Sequence, residues 1–194
     1  MEKNHFVENA GEHVAWAMWR RLDTAGHDAA LLVRSSTGHL LTGTAVFLHA
    51  NGPARIDYRV CVDRDWNTTD GYIAGFVAGR TVRHEIVRDS DGWRLDGLEM
   101  PDLVHLRDLD LGFTPATNLL QLRRAGPELG RSAELTVAWL DIGETRITAL
   151  PQVYVRQSET IYEYSAPSVP YEAVLEMAPN GFVQSYPRLW MMEE

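Results

Sequence analysis

The stretch Thr44-Ala45-Val46-Phe47-Leu48-His49-Ala50-Asn51-Gly52-Pro53-Ala54-Arg55-Ile56-Asp57-Tyr58-Arg59-Val60-Cys61-Val62 decides the fold class. Thr44, Val46 and Leu48 recur at every second position before the turn Asn51-Gly52-Pro53. After it, Ile56, Tyr58, Val60 and Val62 set four apolar groups on one face, with Asp57, Arg59 and Cys61 opposite. Side chains alternate between faces only in an extended chain, so this is a pair of half-buried strands joined by a turn. The same rhythm spreads outward. Leu31 and Val33 show it before this hairpin, and Leu135, Val137 and Trp139 show it after. Thr37-Gly38, Asp91-Gly92 and Asn180-Gly181 are turn dipeptides between such runs. Strands recurring about every ten residues belong to sandwiches and barrels. The expectation is an all-β chain: a rolled antiparallel sheet, barrel-like, forming a single domain over residues 1–194 and enclosing a cavity.

Two segments complicate the pattern. Thr114-Pro115 offers an N-cap with proline at the first helical position, and Gly126-Pro127 offers a stop. Leu119, Leu120, Leu122 and Arg123 between them predict one short helix laid against or across the sheet. Residues Ala15 to Leu22 fit a helix as well as a strand, with strand preferred. The first dozen residues are polar and read as frayed, as does the end Glu193-Glu194.

Composition bounds the function. The 194 residues suit one large domain, and a chain of this length hides roughly 70% of its unfolded surface without staples. A net charge of −9 and a pI near 5.2 oppose nucleic acid and anionic membrane surfaces, since no basic stripe offsets them. Cys61 is the only cysteine, so no intrachain disulfide is open to it. No apolar segment follows Met1-Glu2-Lys3-Asn4-His5, and no run of 18 apolar residues exists. The reading is a soluble cytoplasmic protein with no membrane insertion.

Several motifs invite chemistry. Asp63/Asp65, Asp89/Asp91 and Asp108/Asp110 are paired carboxylates of the kind that hold Mg²⁺ or work as acid and base. Asp89-Ser90-Asp91-Gly92 is a hairpin turn. Asp108 and Asp110 lie among apolar residues near Arg123 and Arg124, which favours an Asp–Arg brace over catalysis. The seven histidines show no metal spacing; His84-Glu85 points to two faces of one strand. No nucleophile elbow, phosphate loop or dinucleotide fingerprint is present, so no cofactor is expected. Cys61 reads as a small packing residue. Gly71, Gly75 and Gly79 leave room for a close backbone or a ligand. Tyr154, Tyr162, Tyr164, Tyr171 and Tyr186 gather after residue 150, flanked by Trp139 and Trp190. Such rings suit a cavity wall for an amphiphile and suit ordinary strands equally.

The run Asp108-Leu109-Asp110-Leu111-Gly112-Phe113-Thr114-Pro115-Ala116-Thr117-Asn118, followed by Leu122-Arg123-Arg124, resembles the signature of a bacterial family named for glycolipid binding. Asp63-Arg64-Asp65-Trp66, Pro151-Gln152-Val153-Tyr154 with Ile161-Tyr162-Glu163-Tyr164, and Gly181-Phe182-Val183-Gln184-Ser185-Tyr186-Pro187 resemble its other motifs. The likeness runs from about Trp19 to Trp190. It departs at His105-Leu106, at Gln121, and at Thr69-Asp70, where the family tends to place a basic residue. The resemblance implies a rolled sheet similar in shape to lipoprotein carriers, with a hydrophobic cavity and no catalytic residues. The expected function is binding of an amphiphilic, glycolipid-like small molecule, with Trp66, Asn118, Arg123, Arg124, Trp139 and Tyr154 at the mouth and wall and Asp108 and Asp110 beside them. Two alternatives stand: an enzyme on a lipid-like or polyketide-like substrate using Asp108 or Asp110 with Arg123, and a homo-oligomeric interaction protein, such as a homodimer, without a ligand.

Overall fold

Period-two alternation becomes strand after strand in the computed structural model, which describes residues 12–193. In chain order the strands are β1 (His13–Arg21), β2 (Gly26–Arg34), β3 (Gly38–His49), β4 (Gly52–Asp63), β5 (Thr68–Val77), β6 (Arg80–Asp89), β7 (Gly92–Leu95), β8 (Leu98–Met100) and β9 (Leu109–Leu111). After helix α1 (Asn118–Ala125) come β10 (Ser132–Leu140), β11 (Thr148–Arg156), β12 (Ile161–Ala166), β13 (Tyr171–Met177), β14 (Val183–Tyr186) and β15 (Trp190–Met192). They form one curled sheet in the order β8-β7-β6-β5-β4-β3-β2-β1-β15-β14-β13-β12-β11-β10-β9. Every neighbouring pair is antiparallel except β9 and β10, which run parallel. The all-β rolled sheet expected from the sequence is therefore present, and β1 confirms the strand preferred for Ala15 to Leu22.

Tyr58 sets the facing of the first strands. It points inward opposite Gly43, where even a Cβ would stand 2.3 Å from the phenol oxygen. Only glycine fits at that inward position of β3, so the inner face is the one that carries Leu41, Gly43, Ala45 and Phe47, with Ala45 fully buried. The consequence corrects one expectation. Val46 and Leu48 are on the outer face, 53% and 55% exposed, and Leu31 and Val33 of β2 lean outward while Ala30 and Leu32 are buried. Trp16 and Met18 of β1 share that outer face.

The sheet curls but does not zip shut. β8 and β9 end the strand order, and the segment before β9 bridges the gap through other bonds. Thr68 donates its backbone N–H to Arg107 O (2.9 Å) and accepts the Leu109 N–H on its Oγ1 (3.0 Å). Trp93 Nε1 and Arg88 Nε both donate to Leu106 O, at 3.1 and 2.8 Å. Gly71 leaves the space that the Leu109 side chain fills, which is the close approach anticipated for that glycine.

Helix α1 lies inside the roll, with Asn118, Leu119, Leu120 and Gln121 buried. Its stop falls at Gly126, as the sequence suggested, with Gly126 N–H donating to Leu122 O (2.9 Å). Its start does not. Thr114 is drawn into bonds with Asp28 and Tyr58 and accepts the Ala116 N–H (3.0 Å), so the helix begins only at Asn118, after Thr117. The frayed end expected at residues 1–12 lies outside the described residues except for Glu12, which pairs with Arg34 (3.0 Å). Glu193 is held, contrary to expectation: its N–H donates to Met18 O (2.8 Å) and its carboxylate meets Arg20 (3.1 Å).

Candidate ligand-binding cleft

At one end of the roll, where β1, β3, β9 and β10 finish, the sheet opens into a cleft of about 720 Å³. Pockets of roughly 300–1,000 Å³ hold small organic ligands. Phe47, Leu48, Phe113 and Ile142 give it an apolar lining, and Arg21, Asp23, Thr24, His49, Asn51 and Asp141 add polar groups. The turns are tied together: Thr24 Oγ1 donates to Leu48 O (2.9 Å), and Leu48 N–H donates to Ala25 O (2.8 Å).

Arg21 ends β1 and is strongly constrained. Its Nε and Nη2 donate to the two oxygens of Asp23, at 3.0 and 2.7 Å. Its guanidinium carbon lies 4.7 Å from the Phe47 ring centre and 4.9 Å from that of Trp190. Aromatic faces hold a cation in this way through their quadrupole. Asp141 follows β10 and accepts the Ile142 N–H on Oδ1 (2.7 Å). Burial pushes its carboxyl above the usual range, while the Ile142 bond and Arg21 draw it back. Gly112 is needed beside it, since a Cβ there would stand 2.8 Å from the Asp141 carboxyl carbon and 2.9 Å from Trp139 Nε1.

Two polar networks are sealed inside. Tyr58 OH and Thr114 Oγ1 both bond Asp28, the former at 3.0 and 3.2 Å from its oxygens, and the two hydroxyls meet at 3.0 Å. Burial pushes Asp28 up to about 7 against these bonds. The second network joins α1 to β9 and β11. Asp110 accepts from Thr117 Oγ1 and Gln152 Nε2, both at 2.7 Å, and burial raises its carboxyl as well. Asn118 Nδ2 donates to Tyr154 OH (2.8 Å), whose own proton has Gln121 Oε1 and Gln152 Oε1 as acceptors at 3.2 Å. Gln121 Nε2 is buried with no partner.

A family model described as "Putative glycolipid-binding" matches residues 16–191. The chain belongs to this family. The glycolipid-binding family resemblance seen in the motifs is thereby confirmed. A crystal structure of a DUF1089 family protein from Pseudomonas aeruginosa is also similar, with a TM-score of 0.66 and 21% identity, covering 98% of this chain and 99% of that one. That likeness concerns the fold. No curated protein matches the chain.

The fold gathers much of the family signature inside the roll rather than at the cleft: Asp110, Thr117, Asn118, Gln152 and Tyr154 share the second buried network, and Tyr164 packs between Tyr154 and Tyr186. Asp108 is buried and chelated by Arg124, whose Nε and Nη2 each lie 2.6 Å from a carboxylate oxygen. The brace expected of both arginines belongs to Arg124 alone; Arg123 donates to Asn180 O (3.3 Å), and Asp110 is satisfied without a cation. The trio of Asp108, Asp110 and Arg123 imagined for catalysis is thus not assembled. Asn118 and Tyr154 belong to the buried network. Trp66 stands at the far end of β4, where its backbone has a φ of 65° and its ring stacks on His39 at 4.0 Å. None of the eight expected site residues lines the cleft; the indole nitrogen of Trp139 lies beside Gly112, which does. Sequence reasoning missed Arg21, Asp23, Phe47, His49 and Asp141. Their one shared signal is position at strand ends and turns, where binding residues concentrate. Among the described residues no group of three or more His, Cys, Asp or Glu side chains is placed to hold a metal, and no helix is long and apolar enough to cross a membrane.

Proposed function

We propose that the protein binds an amphiphilic, glycolipid-like small molecule at the open end of its rolled sheet. The observation that carries this reading is the cleft itself, whose apolar lining of Phe47, Leu48, Phe113 and Ile142 is edged by Arg21, Asp23, His49 and Asp141. A tail laid on the apolar side leaves water, at about 25 cal/mol per Å² of apolar surface buried, while the head keeps polar partners. The family description supports the same ligand class. In this reading the centre of the roll is scaffold: α1 and the rings of Tyr154, Tyr164, Tyr171 and Tyr186, packed 4.9 to 6.0 Å apart, fill it.

The test is native mass spectrometry of freshly purified protein, with solvent extraction to identify what it retains, followed by addition of dodecyl maltoside to the stripped protein. The expected result is one amphiphile per chain in at least one of the two experiments. Leu48→Glu places a charge on the apolar lining at a half-exposed position and should weaken that complex about tenfold or more, since a charge without a partner is costly against an alkyl chain. A clean mass in both experiments would remove the proposal.

A further inference from the structure

Granted the reading above, the charges of the cleft determine which head group it accepts. Arg21 is the cation at its centre, yet little of it is free. Nε and Nη2 are committed to Asp23, and the guanidinium carbon lies over the rings of Phe47 and Trp190, which leaves Nη1. Phosphate and carboxylate groups are best held by a guanidinium that offers a two-pronged fork. Here that fork already holds a carboxylate.

The remaining charges point the same way. Asp141 adds a second carboxylate to the lining, and beyond the Ile142 N–H it accepts no other hydrogen bond among the described residues. Glu144 beyond Asp141 lies within electrostatic reach of that carboxylate, with His49 of the cleft lining acting on it in the opposite sense. An anionic head would therefore meet a cation already neutralised by Asp23 and, beside that pair, the further carboxylate of Asp141, an arrangement that costs affinity. A quaternary ammonium head normally rests on aromatic faces. The two rings that line the cleft, Phe47 and Phe113, are buried, and Arg21 lies over Phe47. A hydroxylated, uncharged head fits what is left, because each hydroxyl both donates and accepts. It can donate to Asp141 and accept from Arg21 Nη1.

We infer that the cleft selects amphiphiles with an uncharged, polyhydroxylated head group over anionic ones, and that the Arg21–Asp23 pair sets this selectivity. Asp23 is a specificity-determining residue in this scheme: it holds the guanidinium that would otherwise recruit an anion. Its side chain is at the surface end of the pair, so it can be replaced without opening the core.

The experiment compares three probes with the same tail, each below its micelle concentration: dodecyl maltoside, dodecyl phosphate and dodecyltrimethylammonium. Binding is measured by calorimetry on the full chain and on Asp23→Asn. Wild type should bind the maltoside at least about tenfold more tightly than the phosphate, and Asp23→Asn should shrink that ratio by about tenfold by gaining the phosphate. Asp141→Asn is a second variant should the first fold poorly; it should narrow the same ratio, losing maltoside and gaining phosphate. Equal binding of maltoside and phosphate by wild type overturns the selectivity while leaving the site, as does tightest binding of the ammonium. A ratio unchanged in both variants overturns the role of these carboxylates. Failure of all three probes to bind overturns the amphiphile site itself.

Discussion

Asp28 is buried without a cation bonded to it, held by Tyr58 and Thr114 from 30 and 86 residues away along the chain. Nothing in its surroundings, His27 and Ala29, marks it in the sequence, because what defines it is contributed by distant strands. Its carboxyl is pushed from 3.8 to about 7, so between these values the folded chain keeps a proton that the unfolded chain has lost. Stability therefore falls as pH rises from about 4 to about 7, by roughly 4 kcal/mol in all, and levels off above. Asp28→Asn has no proton to lose. Urea unfolding across this range should show a wild-type slope steeper than the variant's, with the variant the more stable above pH 7. Asp110 and Asp141 are raised too, so the difference between the curves, rather than either curve, reports Asp28. Identical slopes would count against the buried acid. Asp108 illustrates the opposite case, because its neighbours Leu109 and Leu111 and the downstream arginines did announce a brace. Arg124→Met leaves that carboxylate buried and unpaired and should cost about 3–5 kcal/mol, whereas adding Asp108→Asn should recover most of the loss. Denaturant midpoints of the single and double variants check this.

Elements were legible where local chemistry decides and misread where a distant residue does. Gly126 ends α1 in extended backbone, φ −61° and ψ 137°, because the following Pro127 disfavours a helical residue before it. Thr114-Pro115 looks like a helix start, but the Thr114 hydroxyl is used by Asp28 and Tyr58, and the helix waits until Asn118. β3 offers two alternating sets, Thr44-Val46-Leu48 and Ala45-Phe47, and the bulk of Tyr58 on the next strand chooses the second. The site suffered the same way: α1 carries the family signature, yet it works as the plug of the roll. Its junction with β11 runs through one hydroxyl, that of Tyr154, which Asn118, Gln121 and Gln152 share. Tyr154→Phe keeps the ring and deletes the oxygen. It should destabilise the protein by about 1–3 kcal/mol, the usual cost of leaving buried polar groups unpaired. Thermal unfolding should show the loss with little change in the sheet's circular dichroism. A neutral effect would mean that the three amides satisfy one another without the phenol.

At the scale of the whole molecule the sequence foretold a rolled sheet from the spacing of its strands, but not how the roll is held. That information resides in pairs such as Thr68 with Arg107 and Leu109, about 40 residues apart, where no periodic signal exists. The two halves of the sheet share a continuous ladder through β1 and β15, and meet again where the start of β5 bonds the segment leading into β9. Thr68 is buried at that second meeting and makes two bonds to the segment around β9, one from its backbone N–H and one through its hydroxyl. Thr68→Val retains shape and the backbone bond but strands the Leu109 N–H, at a cost of about 1–3 kcal/mol. Thr68→Ser retains the acceptor and should behave nearly as wild type. Amide exchange distinguishes the two: in the valine variant Leu109 and its neighbours on β9 should lose protection well before β1 and β15 do, because local opening releases the less tightly held edge first. Equal loss along the whole sheet would instead show that the roll opens as one unit and that this junction has no separate stability.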